Sequence, residues 1–317
     1  YSQSNGYPML VLGAVIAGCG NGVFHPVDYT LINHKITAPN LPYAYSMHGV
    51  TGYLGWAAAP TFMVGITELS DWRIAFVSAA LLEAIVLLVL WLSRDQLFDN
   101  VRERKENSSQ GAKATHSEGK TVSPFAFLKL ESVWFCWLFF FFSMAATSSL
   151  QSFAPSALNQ IYNIAISVGS YFITLLALGS AGGVLLGGIL AAKLKVPEKI
   201  VTVCLSVTVM TCLLLATGMT PINVIPVLFI VIGLGYGIVG PSRDLLVKSA
   251  TPQGVAGSVY GIVYSGIDLG AAIGPFLFGF FMDAGLPRAL FMGIACFQFM
   301  IILTTFKVSS SIRTKLV

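Results

Sequence analysis

The stretch GCGNGVFHPVDYTLI, residues 18–32, decides the fold. It closes an apolar, glycine-rich run with His25, Pro26 and Asp28 close together. In the core helix of a soluble protein those three residues are awkward. In a helix that crosses a membrane they are costly, and they mark a site by default. A second stretch, GLGYGIVGP at 233–241, repeats the glycines and the proline in register, 215 residues further on.

Composition settles which solvent the helices meet. The 317 residues are 55% hydrophobic and only 10% charged, with mean hydropathy +0.77. Soluble domains carry about 25% charged residues, so this chain has too few to cover a water-facing surface. The expected class is an all-α polytopic membrane protein. No basic leader precedes an apolar core, so no secretory signal is expected. Cys19, Cys136, Cys204, Cys212 and Cys296 all lie inside apolar runs without a C-x-x-C pair. They read as small packing residues rather than disulfides or metal ligands.

A membrane-crossing helix needs about 20 mostly apolar residues. Nine candidates follow, near 8–32, 44–66, 73–92, 133–154, 168–192, 200–219, 223–242, 257–281 and 288–306. Four segments result: a partial bundle at 1–92, a polar Ser-rich linker at 93–132, a six-helix bundle at 133–306 and a tail at 307–317. With the linker on one side, sixteen of the eighteen Lys and Arg residues share that side, and only Arg73 and Arg288 fall outside. The excess of cations identifies the linker and the C-terminus as cytoplasmic. A multi-pass protein of the cell membrane, bacterial inner membrane in type, is the expected location.

The repeat extends well beyond the glycines. Residues 18–76 against 233–291 give twelve identities in 59 ungapped positions, among them Tyr45 with Tyr260, Pro60 with Pro275 and Arg73 with Arg288. The first three spans are therefore counterparts of the last three. The six helices after the linker form a complete half. Before the linker only three remain, so a truncation of about three helices is expected at the N-terminal side.

These features resemble the major facilitator superfamily of secondary transporters: two six-helix halves, parallel repeats and a long basic linker. GCGNGVFHP and GLGYGIVGP resemble its glycine-rich fourth and tenth helices, and SDWRIAF (70–76) resembles its entry into helix six. GGILAAKLKVPEK (187–199) is similar to the second-half echo of its G-x-L-a-D-R loop, with Ala192 and Lys193 at the acidic and Arg positions. FHP is similar to efflux members of the fosmidomycin-resistance type. The resemblance implies helices four to twelve of a twelve-helix carrier that works by alternating access.

The candidate site residues follow from charge and depth. Gly18, Gly22, His25 and Tyr29 share one helical face, with Asp28 on a neighbouring line. Pro26 reads as a kink, matched at Pro241. Tyr260, Tyr264 and Asp268 stack at i, i+4 and i+8, and Asp268 falls at mid-span, where a charge must face a cavity or a partner. Substrate or proton binding is thus expected of Asp268, Tyr264, Tyr260, His25 and Tyr29. Asp28, Arg243, Asp244 and His48 are expected at an inner gate. The 215-residue shift sets Asp28 opposite Arg243, which predicts a pair across the halves; the rival is Arg243 with its neighbour Asp244. Glu83, mid-span in LLEAIVLL (81–88), reads as a buried, partnered or protonated side chain. Gly179, Gly183 and Gly187, and Gly270 with Gly274, read as close-packing faces.

The functional expectation is a carrier of a small molecule. No Lys or Arg lies at mid-depth, which favours proton-coupled export, by antiport, of a neutral or cationic compound. The alternatives are proton-coupled uptake of an organic acid or sugar-like solute and, more remotely, a channel or a membrane metalloenzyme. His25, Asp28 and His48 are of metal-ligand type, but the pattern holds neither H-E-x-x-H nor a third close ligand, and no P-loop is present. No metal, cofactor, nucleic acid or catalytic residue is therefore expected, and the carrier is expected to act as a monomer in the bilayer.

Overall fold

The computed structural model describes residues 1–97, 126–194, 196–251 and 256–314. Most of the expected linker, together with Lys195 and the end of the tail, lies outside the described residues.

The N-terminal part holds α1 (Tyr7–Asn21), α2 (Phe24–Lys35), α3 (Leu41–Leu69) and α4 (Trp72–Leu92). A single helical turn, Arg94–Leu97, follows. The C-terminal part holds α5 (Glu131–Tyr162), α6 (Ile166–Leu194), α7 (Pro197–Thr217), α8 (Ile225–Ala250), α9 (Ala256–Asp283) and α10 (Pro287–Thr314). Among the described residues three turns take a left-handed residue, one of them Gly285 after α9 at φ 69°. Asn163 ends α5 at φ 55° and Gly218 ends α7 at φ 73°, the residue types that tolerate that region.

Eight helices among the described residues are long and apolar enough to cross a membrane, against the nine expected. The missing one is α3. Its 29 residues are ample in length, but Tyr43, Ser46, His48, Thr51 and Tyr53 dilute its apolar content. The first span also departs from expectation, because it is two helices. Pro26 has no N–H to offer the carbonyl of Gly22 four residues back, and the break falls at Gly22–Val23, between α1 and α2. The repeat counterpart, Pro241, stays inside the continuous α8.

Burial is uneven between the two parts. In the C-terminal part the helices meet through glycine faces. A Cβ at Gly183 would come within 2.5 Å of the Leu234 carbonyl oxygen, and one at Gly187 within 2.5 Å of the Ile238 carbonyl oxygen. Gly233 and Gly237 present the reciprocal face of α8 to Leu176 and Ser180 of α6. Gly266, Gly270 and Gly274 seat α9 on the backbone of α5 in the same manner. Lipid tails are as apolar as leucine, so close backbone approach is what holds such helices together. The glycine faces read from sequence are these contacts.

By contrast, α1 buries no residue, and α4 buries only Ala75. Glu83 on α4 is exposed and makes no hydrogen bond or ion pair among the described residues. That corrects the expected buried, partnered glutamate: nothing packs against that face of α4.

The two parts join at the end that carries the linker. Ser46 Oγ on α3 donates to the Val184 carbonyl of α6 at 2.7 Å. Gly188 sits so close to Ser46 that a Cβ there would lie 2.5 Å from the serine's own. Tyr29, Leu41 and Tyr45 enter one apolar core with Val133, Phe140, Val259 and Tyr260 of the other part.

Candidate functional site

α2 and α9 face each other at the linker end, and the interface between them is aromatic and polar. Tyr29 is 4% exposed. Its ring lies 5.5 Å from Tyr260 and 5.1 Å from Tyr264, centroid to centroid. Periodicity explains the arrangement. Tyr260 and Tyr264 are one turn apart on α9, and Tyr29 inserts between them from α2. Pro26 approaches Gly261 on the same face: a Cβ there would lie 3.7 Å from Pro26 Cγ, in ordinary van der Waals contact.

A buried carboxylate organises the contact. Asp244 on α8 is 3% exposed. It accepts from Arg243 Nε at 2.9 Å, from Tyr29 Oη at 3.0 Å and from Tyr264 Oη at 3.3 Å. The Arg243 guanidinium in turn lies over the Phe140 ring at 4.4 Å, a cation–π contact. A buried ion pair adds little to stability, because desolvating both charges offsets their attraction. Here it supplies a fixed acceptor on the C-terminal part that a tyrosine from the other part can reach.

Next to it runs a second bridge. Asn33 Nδ2 donates to Tyr260 Oη at 2.9 Å, while its Oδ1 accepts from Tyr45 Oη. One amide thus links a tyrosine from each part.

The expected Asp28–Arg243 pair is not formed. Asp28 turns towards its own part, with Oδ2 at 3.5 Å from His25 Nδ1 and 3.2 Å from His48 Nε2. Arg243 pairs with Asp244, the rival partner read from the sequence. The reason is register. Asp28 and Tyr29 are successive residues and point about 100° apart on a helix of 3.6 residues per turn. Only one of them can face α9, and the buried interface takes the aromatic ring.

His25 and His48 stand at the edge of this cluster. The His25 ring is 4.9 Å from Tyr264 and the His48 ring 5.2 Å from Tyr29. The sequence reading sets His25 among the substrate or proton candidates and Asp28 with His48 at the inner gate, with no third close metal ligand. The structure brings the three within 4.8 Å of one another.

Asp268 stands apart. It lies one turn beyond Tyr264 along α9, is exposed, and has no partner among the described residues. Its exposed carboxylate lies past the tyrosine contact along α9.

Asn33 and Phe140 were not singled out from sequence. Asn33 was within reach: it is one turn from Tyr29, and Tyr45–Tyr260 is one of the repeat identities. Phe140 carries no such mark in the run WFCWLFFFF (134–142).

No curated protein matches this chain. A family model, that of the Major Facilitator Superfamily, matches residues 2–275. It covers α1 to α8 and reaches into α9, and the helical architecture of the described residues, with eight membrane-crossing candidates, agrees with it. The chain belongs to the major facilitator superfamily, whose members are multi-pass secondary transporters of small molecules.

Proposed function

We propose that the protein is a proton-coupled exporter of a neutral or cationic compound, with the linker-side gate closed in this structure and Asp268 as the coupling site. The observation that carries the reading is the position of Asp268. It is a carboxylate within a membrane helix, exposed and unpartnered, one turn above the residues that join the two parts. A carboxylate can carry a proton or pair with a cation, and exchanging one for the other is the chemistry that antiport of a cationic compound requires. Arg243, the nearest strong cation to the gate, is already committed to Asp244. That leaves no free guanidinium there for a substrate carboxylate, which favours this reading over uptake of an organic acid. The FHP triplet adds support for an efflux type.

The excess of Lys and Arg at the linker end supports a cytoplasmic linker and C-terminus in a bacterial-type inner membrane. Tyr260, Tyr264, His25 and Tyr29 then form the floor of the substrate space, and Asp28, Arg243, Asp244 and His48 the inner gate beneath it.

We also infer that three further helices complete the first bundle. The support is internal symmetry. Gly233 of α8 is filled by α6 and Gly235 by α7, whereas their counterparts Gly18 and Gly20 in α1 meet nothing within 4 Å. The face that α6 covers on one side of the pseudo-twofold is bare on the other.

The test is transport in vesicles with an imposed pH gradient, screened with a panel of neutral and cationic dyes and antibiotics, using the protein with its first bundle restored. Saturable, gradient-driven flux is expected. Asp268→Asn should abolish the coupled flux while leaving expression and folding intact. Wild-type proton-coupled flux from that variant would overturn the assignment, and uptake of an organic acid or sugar would reverse the substrate class.

A further inference from the structure

Three side chains of metal-ligand type converge beside the gate, and no hydrogen bond joins them. His25 and Asp28 are i and i+3 on α2, a spacing that sets both side chains on one face. His48, from the second turn of α3, reaches the same point. His25 Nδ1 and His48 Nε2 lie 3.5 and 3.2 Å from Asp28 Oδ2, and all three ligand atoms fall within 4.8 Å of one another. Asp28 Oδ1 is already taken by the Tyr29 backbone N–H at 2.6 Å. Oδ2 and His25 Nδ1 are buried atoms with no hydrogen-bond partner. The separations are short, yet Asp28 Oδ2 and His25 Nδ1 take part in no hydrogen bond.

Coordination accounts for both facts. In a tetrahedral site with metal–ligand bonds of ~2.1 Å, neighbouring ligand atoms stand ~3.4 Å apart. Two of the three edges are at that spacing. Closing the third requires only a side-chain adjustment of His25 or His48, each of which is partly exposed, at 36% and 23%. Two imidazoles and one carboxylate are a donor set for zinc and its first-row neighbours. Calcium and magnesium prefer all-oxygen cages.

We infer that His25, Asp28 and His48 bind one divalent transition-metal ion of zinc's class, which fastens α2 to α3 immediately behind the gate. The consequence is local and mechanical. The two imidazoles that the ion would fix are the rings against which Tyr264 and Tyr29 pack. The ion would therefore hold the first part's side of the contact in the shape that meets α9. A water molecule would complete the coordination. Nothing here depends on the transported substrate or on Asp268.

The test uses the purified chain in detergent, titrated with Zn²⁺ by calorimetry at pH 7.5, with Mg²⁺ as control, and with Co²⁺ followed by visible absorption. One Zn²⁺ per chain is expected, no Mg²⁺ binding, and a tetrahedral Co²⁺ spectrum displaced by Zn²⁺. His48→Gln and Asp28→Asn should each weaken Zn²⁺ binding by about 100-fold, one ligand's share of a zinc site. The other two histidines serve as controls, and His34→Ala and His116→Ala should bind as wild type does. Zn²⁺ should also raise the melting temperature of wild type and not of His48→Gln. Absence of saturable Zn²⁺ binding to wild type overturns the inference, as does unchanged affinity in both ligand variants when gel filtration shows them folded.

Discussion

Tyr29 and Asp244 occupy equivalent positions of the two repeats, 215 residues apart, and they bond to each other: Tyr29 Oη donates to Asp244 Oδ2 at 3.0 Å. Tyr45 and Tyr260 are also equivalents at that shift, and the Asn33 amide bridges them. Residues that meet their own counterparts lie close to the axis relating the repeats. The axis of this carrier thus runs through a contact made of tyrosines and one buried ion pair. A rocking motion that swings the linker-side ends of the two parts away from that axis breaks the contact, and such rocking is what alternating access requires.

Removing the Tyr29 hydroxyl should loosen that contact without harming either part. Asp244 keeps Arg243 and Tyr264, so no charge is stranded. A hydrogen bond to a charged acceptor contributes about 1.5–3 kcal/mol, enough to shift a two-state equilibrium roughly tenfold or more. Tyr29→Phe should therefore favour the form open at the linker end. The readout is alkylation of a single cysteine introduced by Thr30→Cys in a cysteine-free background, with faster labelling expected in the Phe variant.

Asp28 and Arg243 should fail a charge-swap test. Asp28→Arg places a cation beside two histidines, and Arg243→Asp places a second carboxylate against buried Asp244. Because the two residues do not touch, combining the changes should bring no recovery beyond the sum of the singles. Rescue in the same labelling assay would show that the pair forms in another state of the cycle.

Arg243 and Asp244 should instead couple strongly. Arg243→Met alone leaves a nearly fully buried carboxylate with only two hydroxyl donors, and loss of one partner of a buried pair costs about 3–5 kcal/mol. Adding Asp244→Asn removes the stranded charge. The double variant should recover much of the thermal stability lost by the single one, as judged by unfolding in detergent. Its gate should remain weak, because Tyr29 then donates to a neutral amide.

Much of this architecture was legible before any coordinates, and the reasons are physical. Glycine and proline mark backbone geometry directly, so their register across 215 residues located the repeat, the break at Pro26 and the close faces of α6 and α9. Charge asymmetry located the linker end. The choice between Asp28 and Tyr29 was not legible. Adjacent residues differ by one helical step, and which of them faces α9 depends on the rotation of α2 about its own axis. Charge complementarity favoured Asp28 with Arg243, but burial favoured an aromatic ring at the interface. Glu83 was misread for a related reason: mid-span position implies burial only where another helix covers that face.

The last prediction separates the two glycine faces. On α8, a methyl group at Gly237 would strike the Ser180 carbonyl and lie 2.7 Å from the Val184 backbone nitrogen. Backbone cannot swing aside as a side chain can, so Gly237→Ala should cost about 1–3 kcal/mol or more by overpacking. On α1, Gly18 has nothing within 4 Å. There Gly18→Ala adds a methyl to open space and gains helix propensity, up to about 1 kcal/mol. In the present chain it should leave the melting temperature unchanged or slightly raised. With three further helices restored ahead of Tyr1, the bare face would be covered as α6 covers α8, and Gly18→Ala should become destabilising, like its counterpart Gly233→Ala. Thermal unfolding of the three variants beside the parent, each in the short and the restored chain, reads this out. If Gly18→Ala behaves alike in both chains, α1 has no partner there, and the twelve-helix reading of the first bundle fails.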